Sequence, residues 1–185
     1  MFYFNDVVFL TGEQVRHISR DHVSDVRYHN GQLFCLSGKA GRAEIQVYDT
    51  RTWERIRNIH SPCKCSHAYN HTLHIGSEHI TLTCGDTHII HTMTHRGEHV
   101  QTTKNGSGIG EFVHPFICHN SSDAVLVGDF ANARLQLRHA GEWSRMLLEP
   151  QPLWPLDAVY IGGALFVLCH DIFGENDRII KYTPT

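Results

Sequence analysis

The chain has 185 residues, 41% hydrophobic and 19% charged, with a formal net charge of −3 when histidine is neutral. That length carries one sizeable core, burying roughly two-thirds of the unfolded surface, and the composition excludes a disordered chain. The slight acidity excludes a global pull toward nucleic acid or membrane, and no apolar run approaches the roughly 18 residues that span a bilayer. Histidine is the oddity, with 16 copies. Their protonation would make the net charge positive, so the surface changes sign below about pH 6.5.

Met1 to Leu10 is apolar in patches, but Asn5 and Asp6 interrupt it and no basic segment precedes it, so it does not read as a signal peptide. The six cysteines (Cys35, Cys63, Cys65, Cys84, Cys118, Cys169) are then expected as free, buried thiols in a reducing compartment, and the cytoplasm is the expected location. Sequons at Asn70, Asn105 and Asn120 would matter only in a secreted protein.

Strand-like segments follow in chain order and fall into series. Val7-Val8-Phe9-Leu10 comes first; Ile45-Gln46-Val47-Tyr48, Ile89-Ile90-His91-Thr92, Leu135-Gln136-Leu137-Arg138 and Ile179-Ile180-Lys181-Tyr182 repeat its character. A second series precedes these: Leu33-Phe34-Cys35-Leu36, Ile80-Thr81-Leu82-Thr83, Val125-Leu126-Val127 and Leu165-Phe166-Val167-Leu168. Glutamates at 13, 54, 98 and 142 keep phase with both, spaced by 41, 44 and 44 residues. Turn residues such as Asn30-Gly31 and Gly162-Gly163 separate short runs rich in β-branched and aromatic residues. No stretch combines helical periodicity with capping signals. Four antiparallel strands in about 44 residues is the pattern of a propeller blade. The expected fold is therefore all-β, a β-propeller of four-stranded antiparallel blades with about four blade equivalents. The expected blades cover about 22–59, 61–104, 106–150, and 153–182 completed by 5–19. Such sharing of one blade by both ends would remove the exposed edge strands. A four-bladed closed ring and a portion of a larger ring both remain open at this point.

Gly106-Ser-Gly-Ile-Gly-Glu-Phe112, Pro115, Ala124-Val-Leu-Val-Gly-Asp129, Asn132, Arg134, Leu135 and Gln136 together resemble an NHL repeat. The likeness is good over one blade. The fourth unit keeps Trp154-Pro155, the Leu165 to Leu168 strand and Asn176-Asp177-Arg178-Ile179; the first two units keep only the strand periodicity. The resemblance implies a binding face that takes protein or structured RNA. One branch of the family is a metal-dependent lyase.

Gly106-x-Gly108-x-Gly110 lacks the Gly-Lys-Ser/Thr of a P-loop and the G-x-G-x-x-G of a dinucleotide site, so it reads as an inter-blade loop. Asp129 and Asp171 follow equivalent strands and read as loop ties, and Asn132 and Arg134 as blade-to-blade hydrogen bonding. Cys63-x-Cys65-x-His67 would place three soft ligands on one strand face. Structural zinc commonly uses C-x₂₋₄-C and no fourth ligand is near in sequence, so a loop with fortuitous thiols is expected, with no metal and no cofactor. The second unit holds nine histidines (His60, His67, His71, His74, His79, His88, His91, His95, His99), read as a scattered, half-exposed set giving a pH-sensitive surface.

No catalytic trio is singled out. The expected function is a non-catalytic propeller that binds a protein partner through a loop face carrying Arg20, Lys39, Arg42, Lys64, Lys104 and Phe130. Basic residues with an aromatic also suit phosphate contact plus stacking, so RNA is the first alternative partner. A metal-dependent propeller hydrolase or lyase is the second. No membrane partner is expected. An incomplete ring would expose blade edges, and a homo-dimer is then expected.

Overall fold

The computed structural model describes residues 7–11, 14–19, 23–39, 42–63, 71–120, 124–147, 153–171 and 177–183. They form two compact units, Met1–Asp86 with His91–Gln101, and Thr87–Ile90 with Thr102–Thr185.

In the first unit, β1 (Val7–Thr11) pairs antiparallel with β2 (Gln14–Ser19). Next comes a four-stranded meander, β3 (Val23–His29), β4 (Gln32–Lys39), β5 (Arg42–Asp49) and β6 (Arg55–His60). Asn30 and Gly31 make the β3–β4 turn with φ of 47° and 73°, the left-handed pair a two-residue hairpin requires. A second four-stranded sheet holds β7 (Leu73–Ile75), β8 (His79–Cys84), β9 (Ile89–Thr94) and β10 (His99–Thr102), in that spatial order; the division between the units passes through β9.

One face of the β3–β6 sheet carries Phe34, Leu36, Ile45, Val47 and Ile59, all buried. Register explains the set, since Asp25, Leu36, Ile45 and Ile59 lie opposite one another across the four strands. The β7–β10 sheet covers this face. Asp25 Oδ2 accepts the Leu73 N–H at 2.8 Å and Arg27 Nε donates to the Leu73 carbonyl at 2.7 Å. The His95 ring meets Phe34 edge-on at 6.1 Å. Gly97 passes so close to Ile59 that a Cβ there would lie 3.0 Å from Ile59 Cγ2.

In the second unit, the short β11 (Lys104–Asn105) and β12 (Glu111–Phe112) run parallel. The meander β13 (Pro115–Asn120), β14 (Ala124–Asp129), β15 (Arg134–His139) and β16 (Glu142–Leu147) follows, then β17 (Leu153–Ile161), β18 (Ala164–Asp171) and β19 (Asp177–Tyr182). The single 3₁₀ turn Phe130–Asn132 is the one helical element among the described residues. One face of β13–β16 packs Ile117, Val125 and Val127 with Ile90, Phe112 and Trp143. Its other face, with Leu126 and Leu135, packs on Leu153, Ala158, Leu165, Val167 and Cys169 of the last sheet. Alternation sends Val159, Ile161, Phe166, Leu168 and Ile179 to the opposite side of that sheet. Among the described residues, β18 is the strand neighbour of β19.

The expectation of free thiols holds for Cys35, Cys118 and Cys169 and fails for Cys63 and Cys84, which are joined with Cα atoms 6.8 Å apart. Sequence spacing hid this pair, because the turn after β6 returns Cys63 to the far end of β8, 21 residues on.

Candidate functional site

Asp129, Asn132, Arg134 and Gln136 form one buried network. Arg134 Nε donates to Asp129 Oδ2 at 2.6 Å. Its other nitrogens donate to the carbonyls of Ser107, Gly108 and Glu111 at 2.6, 2.8 and 2.8 Å. Asn132 adds a donor to the Gly106 carbonyl, Gln136 Nε2 one to the Glu111 carbonyl, and the Val113 N–H binds Asp129 Oδ1. The Gly106–Gly110 segment is thus held from one side by a guanidinium that gives four of its five N–H donors to the protein itself. These residues are a structural clamp.

Among the described residues, the free thiols offer no activated nucleophile. Burial pushes Cys35 up to about 12 and Cys169 up to about 11; Cys118 is raised further, by burial first and then by Asp157. Several histidines pair ring to ring: His29 with His95 at 5.7 Å, His88 with His114 at 4.2 Å, His91 with His99 at 6.5 Å. His74 is buried, and desolvation, then Arg27 and His29, lower it to about 4. His91 is lowered by burial, then by His99 and His71. Neither ring belongs to the half-exposed set expected from sequence: both lie in the interior and are held neutral.

Of the basic set expected on a loop face, Arg20 and Lys64 lie outside the described residues. Lys39 and Arg42 are opposite one another at the end of the β4–β5 hairpin. Lys104 is exposed on β11. Phe130 is half-buried and its ring packs on Trp154 at 4.8 Å, so it is occupied by the protein itself. Of Cys63-x-Cys65-x-His67, the last two lie outside the described residues. Cys63 instead meets His71 and Cys84, a group that sequence spacing did not single out.

The outward face of β17–β19 is the feature sequence reasoning missed, although its residues were already aligned in the repeat. Ile179 is 72% exposed and Ile161 61%; Val159 is exposed, and Phe166 and Leu168 are half-buried. Lys181 reaches over the Phe166 ring, 5.9 Å from its centroid. Asp157 sits on the same face, opposite Leu168, just after a bulge in β17. Its Oδ1 accepts the Ala158 N–H at 2.8 Å. Asp25 stands at the matching bulge of β3 and accepts the Val26 N–H at 2.8 Å in the same way. Burial raises Asp25, against the lowering by Arg27 and by the Leu73 and Val26 amides.

No family model and no curated protein matches the chain. Solved structures do match. The β-propeller domain of the trilobed protease from Pyrococcus furiosus aligns at a TM-score of 0.62 and 10% identity over 93% of this chain. A catalytically inactive virginiamycin B lyase from Staphylococcus aureus aligns at 0.67 and 15% over 97%. Acylaminoacyl peptidase from Pyrococcus horikoshii aligns at 0.58 and 11% over 92%. At such identities the likeness shows the fold alone: this is a β-propeller chain of four-stranded antiparallel sheets. It spans 56%, 63% and 32% of the three structures.

Proposed function

We propose that the chain is a non-catalytic, NHL-like propeller module whose work is protein docking, that the outward face of β17–β19 is its docking surface, and that a second copy of the chain is the occupant. One observation carries this reading. Leu168, Phe166 and Ile179 occupy the registers that Leu36, Phe34 and Ile45 occupy in the β3–β6 sheet. In that sheet the three side chains are sealed under a neighbouring sheet; in the last sheet the same side chains face outward. An apolar sheet face of this kind marks an interaction site.

A second copy fits it chemically. The face carries both signs, Asp157 and Lys181, around an apolar centre, so two copies of it are self-complementary, as a two-fold contact requires. The clamp of Asp129, Asn132, Arg134 and Gln136 supports the NHL-like type, since it gives the motif residues a shared structural task.

The test uses two copies of the full chain carrying different tags. The wild-type copies are expected to co-purify, and Ile179→Lys on both is expected to abolish that while leaving the circular dichroism spectrum unchanged. Failure of the wild-type copies to associate, or undiminished association of the variant, would overturn the reading. So would tight binding of an unstructured single-stranded RNA that competes with association.

A further inference from the structure

Three side chains in the first unit converge at a place that the docking reading does not use. Cys63 follows β6, His71 stands just before β7, and Cys84 ends β8. One ligand atom from each lies within 4.8 Å of the others, and all three residues are buried. Two thiols and an imidazole are the donor set that soft divalent zinc prefers.

The surroundings already orient these donors. His71 Nδ1 lies 2.9 Å from the Thr83 carbonyl. A carbonyl can only accept, so Nδ1 carries the proton and the lone pair of the neutral ring sits on Nε2, which is buried. This is the arrangement that fixes the tautomer of a metal-binding histidine. Thr72 and Thr83 lock the two segments together: the Thr72 N–H donates to Thr83 Oγ1 at 2.9 Å and the hydroxyls share a bond of 2.8 Å. Cys63 is set in turn by its own N–H donating to Ser61 Oγ at 3.0 Å.

We propose that this cluster, in its dithiol form, is a zinc site with the Cys63 and Cys84 thiolates and His71 Nε2 as ligands. The disulfide and the metal are alternative occupants of one place. A dithiol reductant gives two electrons and two protons to the Cys63–Cys84 bond and is itself oxidised to a disulfide, leaving two thiols. Zn²⁺ then displaces both thiol protons to solvent. The sulfurs move apart to the spacing of about 3.8 Å that follows from Zn–S bonds of about 2.3 Å in a tetrahedral site. Three protein ligands leave a fourth position. The bound ion ties the segment after β6 to the ends of β7 and β8, as the disulfide does, without needing an oxidant.

The experiment takes the full chain, reduced and kept from oxygen, with zinc or cobalt(II) as the probe. Desalted protein is expected to retain one equivalent of zinc, and the oxidised protein none. Cobalt(II) is expected to give a thiolate-to-metal charge-transfer band with tetrahedral d–d intensity. Zinc is expected to protect Cys63 and Cys84, and not Cys35 or Cys169, from alkylation in the wild-type chain, a readout that needs no variant to fold. Cys63→Ser, Cys84→Ser and His71→Ala are expected to lose retention, and Cys65→Ser to keep it. No zinc retained by the reduced chain, or protection spread evenly over all cysteines, would overturn the proposal. So would loss in Cys65→Ser with retention in His71→Ala, which would move the site to the C-x-C-x-H run.

Discussion

The first and last meanders of this chain are built on one plan and end in opposite situations. Each has an inner strand with a bulge, an aspartate just after it that accepts the next backbone N–H, and a Leu-Phe-x-Leu second strand. In β3–β6, Leu36 and Ile45 are fully buried and Asp25 takes a further N–H from Leu73 of the neighbouring sheet. In β17–β19, Leu168 and Ile179 look outward and Asp157 is exposed. The same side chains at the same registers are core in one place; in the other Ile179 is exposed and Phe166 and Leu168 are half-buried. Burial is therefore decided by what lies across the face, and the proposed docking rests on a face that repeats a core pattern with Ile179 and Ile161 exposed.

The strongest way to break the comparison is to charge both faces. Ile45→Lys puts an unpaired ammonium where nothing can solvate it and is expected to cost more than about 4 kcal/mol. Ile179→Lys, at the matching register, is expected to change the stability of the single chain by less than about 0.5 kcal/mol. Urea titration at a concentration too low for association checks both, and equal losses would refute the difference.

Next is the clamp in the sheet between the two packed faces of the second unit. Asp129→Ala leaves Arg134, almost wholly buried, without its carboxylate, and is expected to cost about 3–5 kcal/mol by the same titration. The half-exposed Asp171–Arg178 pair of the last sheet lies at 2.7 Å and is expected to yield no more than about 1 kcal/mol in Arg178→Ala.

Acid should loosen the covered sheet selectively. His74, on the strand that covers β3–β6, has a folded pKa lowered to about 4 from 6.5. Above pH 6.5 it is neutral folded or unfolded and contributes no slope; between 6.5 and 4 only the unfolded chain takes the proton, so stability falls with pH, by on the order of 3 kcal/mol. His74→Leu is expected to flatten that part of the stability profile; an unchanged slope would remove His74 as its source. The smallest effect separates the two aspartates. Asp25→Ala strands the Leu73 amide and is expected to cost about 1–3 kcal/mol, and Asp157→Ala to cost less than about 1, in paired denaturation curves.

The architecture was legible because strand alternation and Asn-Gly or Gly-Gly turns are local signals, and the three series at positions such as Leu33, Ile45 and Leu165 carried them. The clamp was legible because Asp129, Asn132, Arg134 and Gln136 lie within eight residues. The metal-competent cluster was not: its members come from the stretch after β6 and the far end of β8, and only the folded sheet brings Cys84 to Cys63. Exposure of Ile179 was illegible for a different reason. Ile179 begins its strand segment as the buried Ile45 begins its own, with a Tyr three residues on in both, and a cover is a property of the neighbour.

The central claim is that the outward face of β17–β19 holds a second copy, and light scattering coupled to size exclusion tests it most directly. The account predicts a discrete species at twice the 21.1 kDa of the chain, falling to the single-chain mass in Ile179→Lys. A sharp single-chain mass for the wild type at every concentration would contradict it.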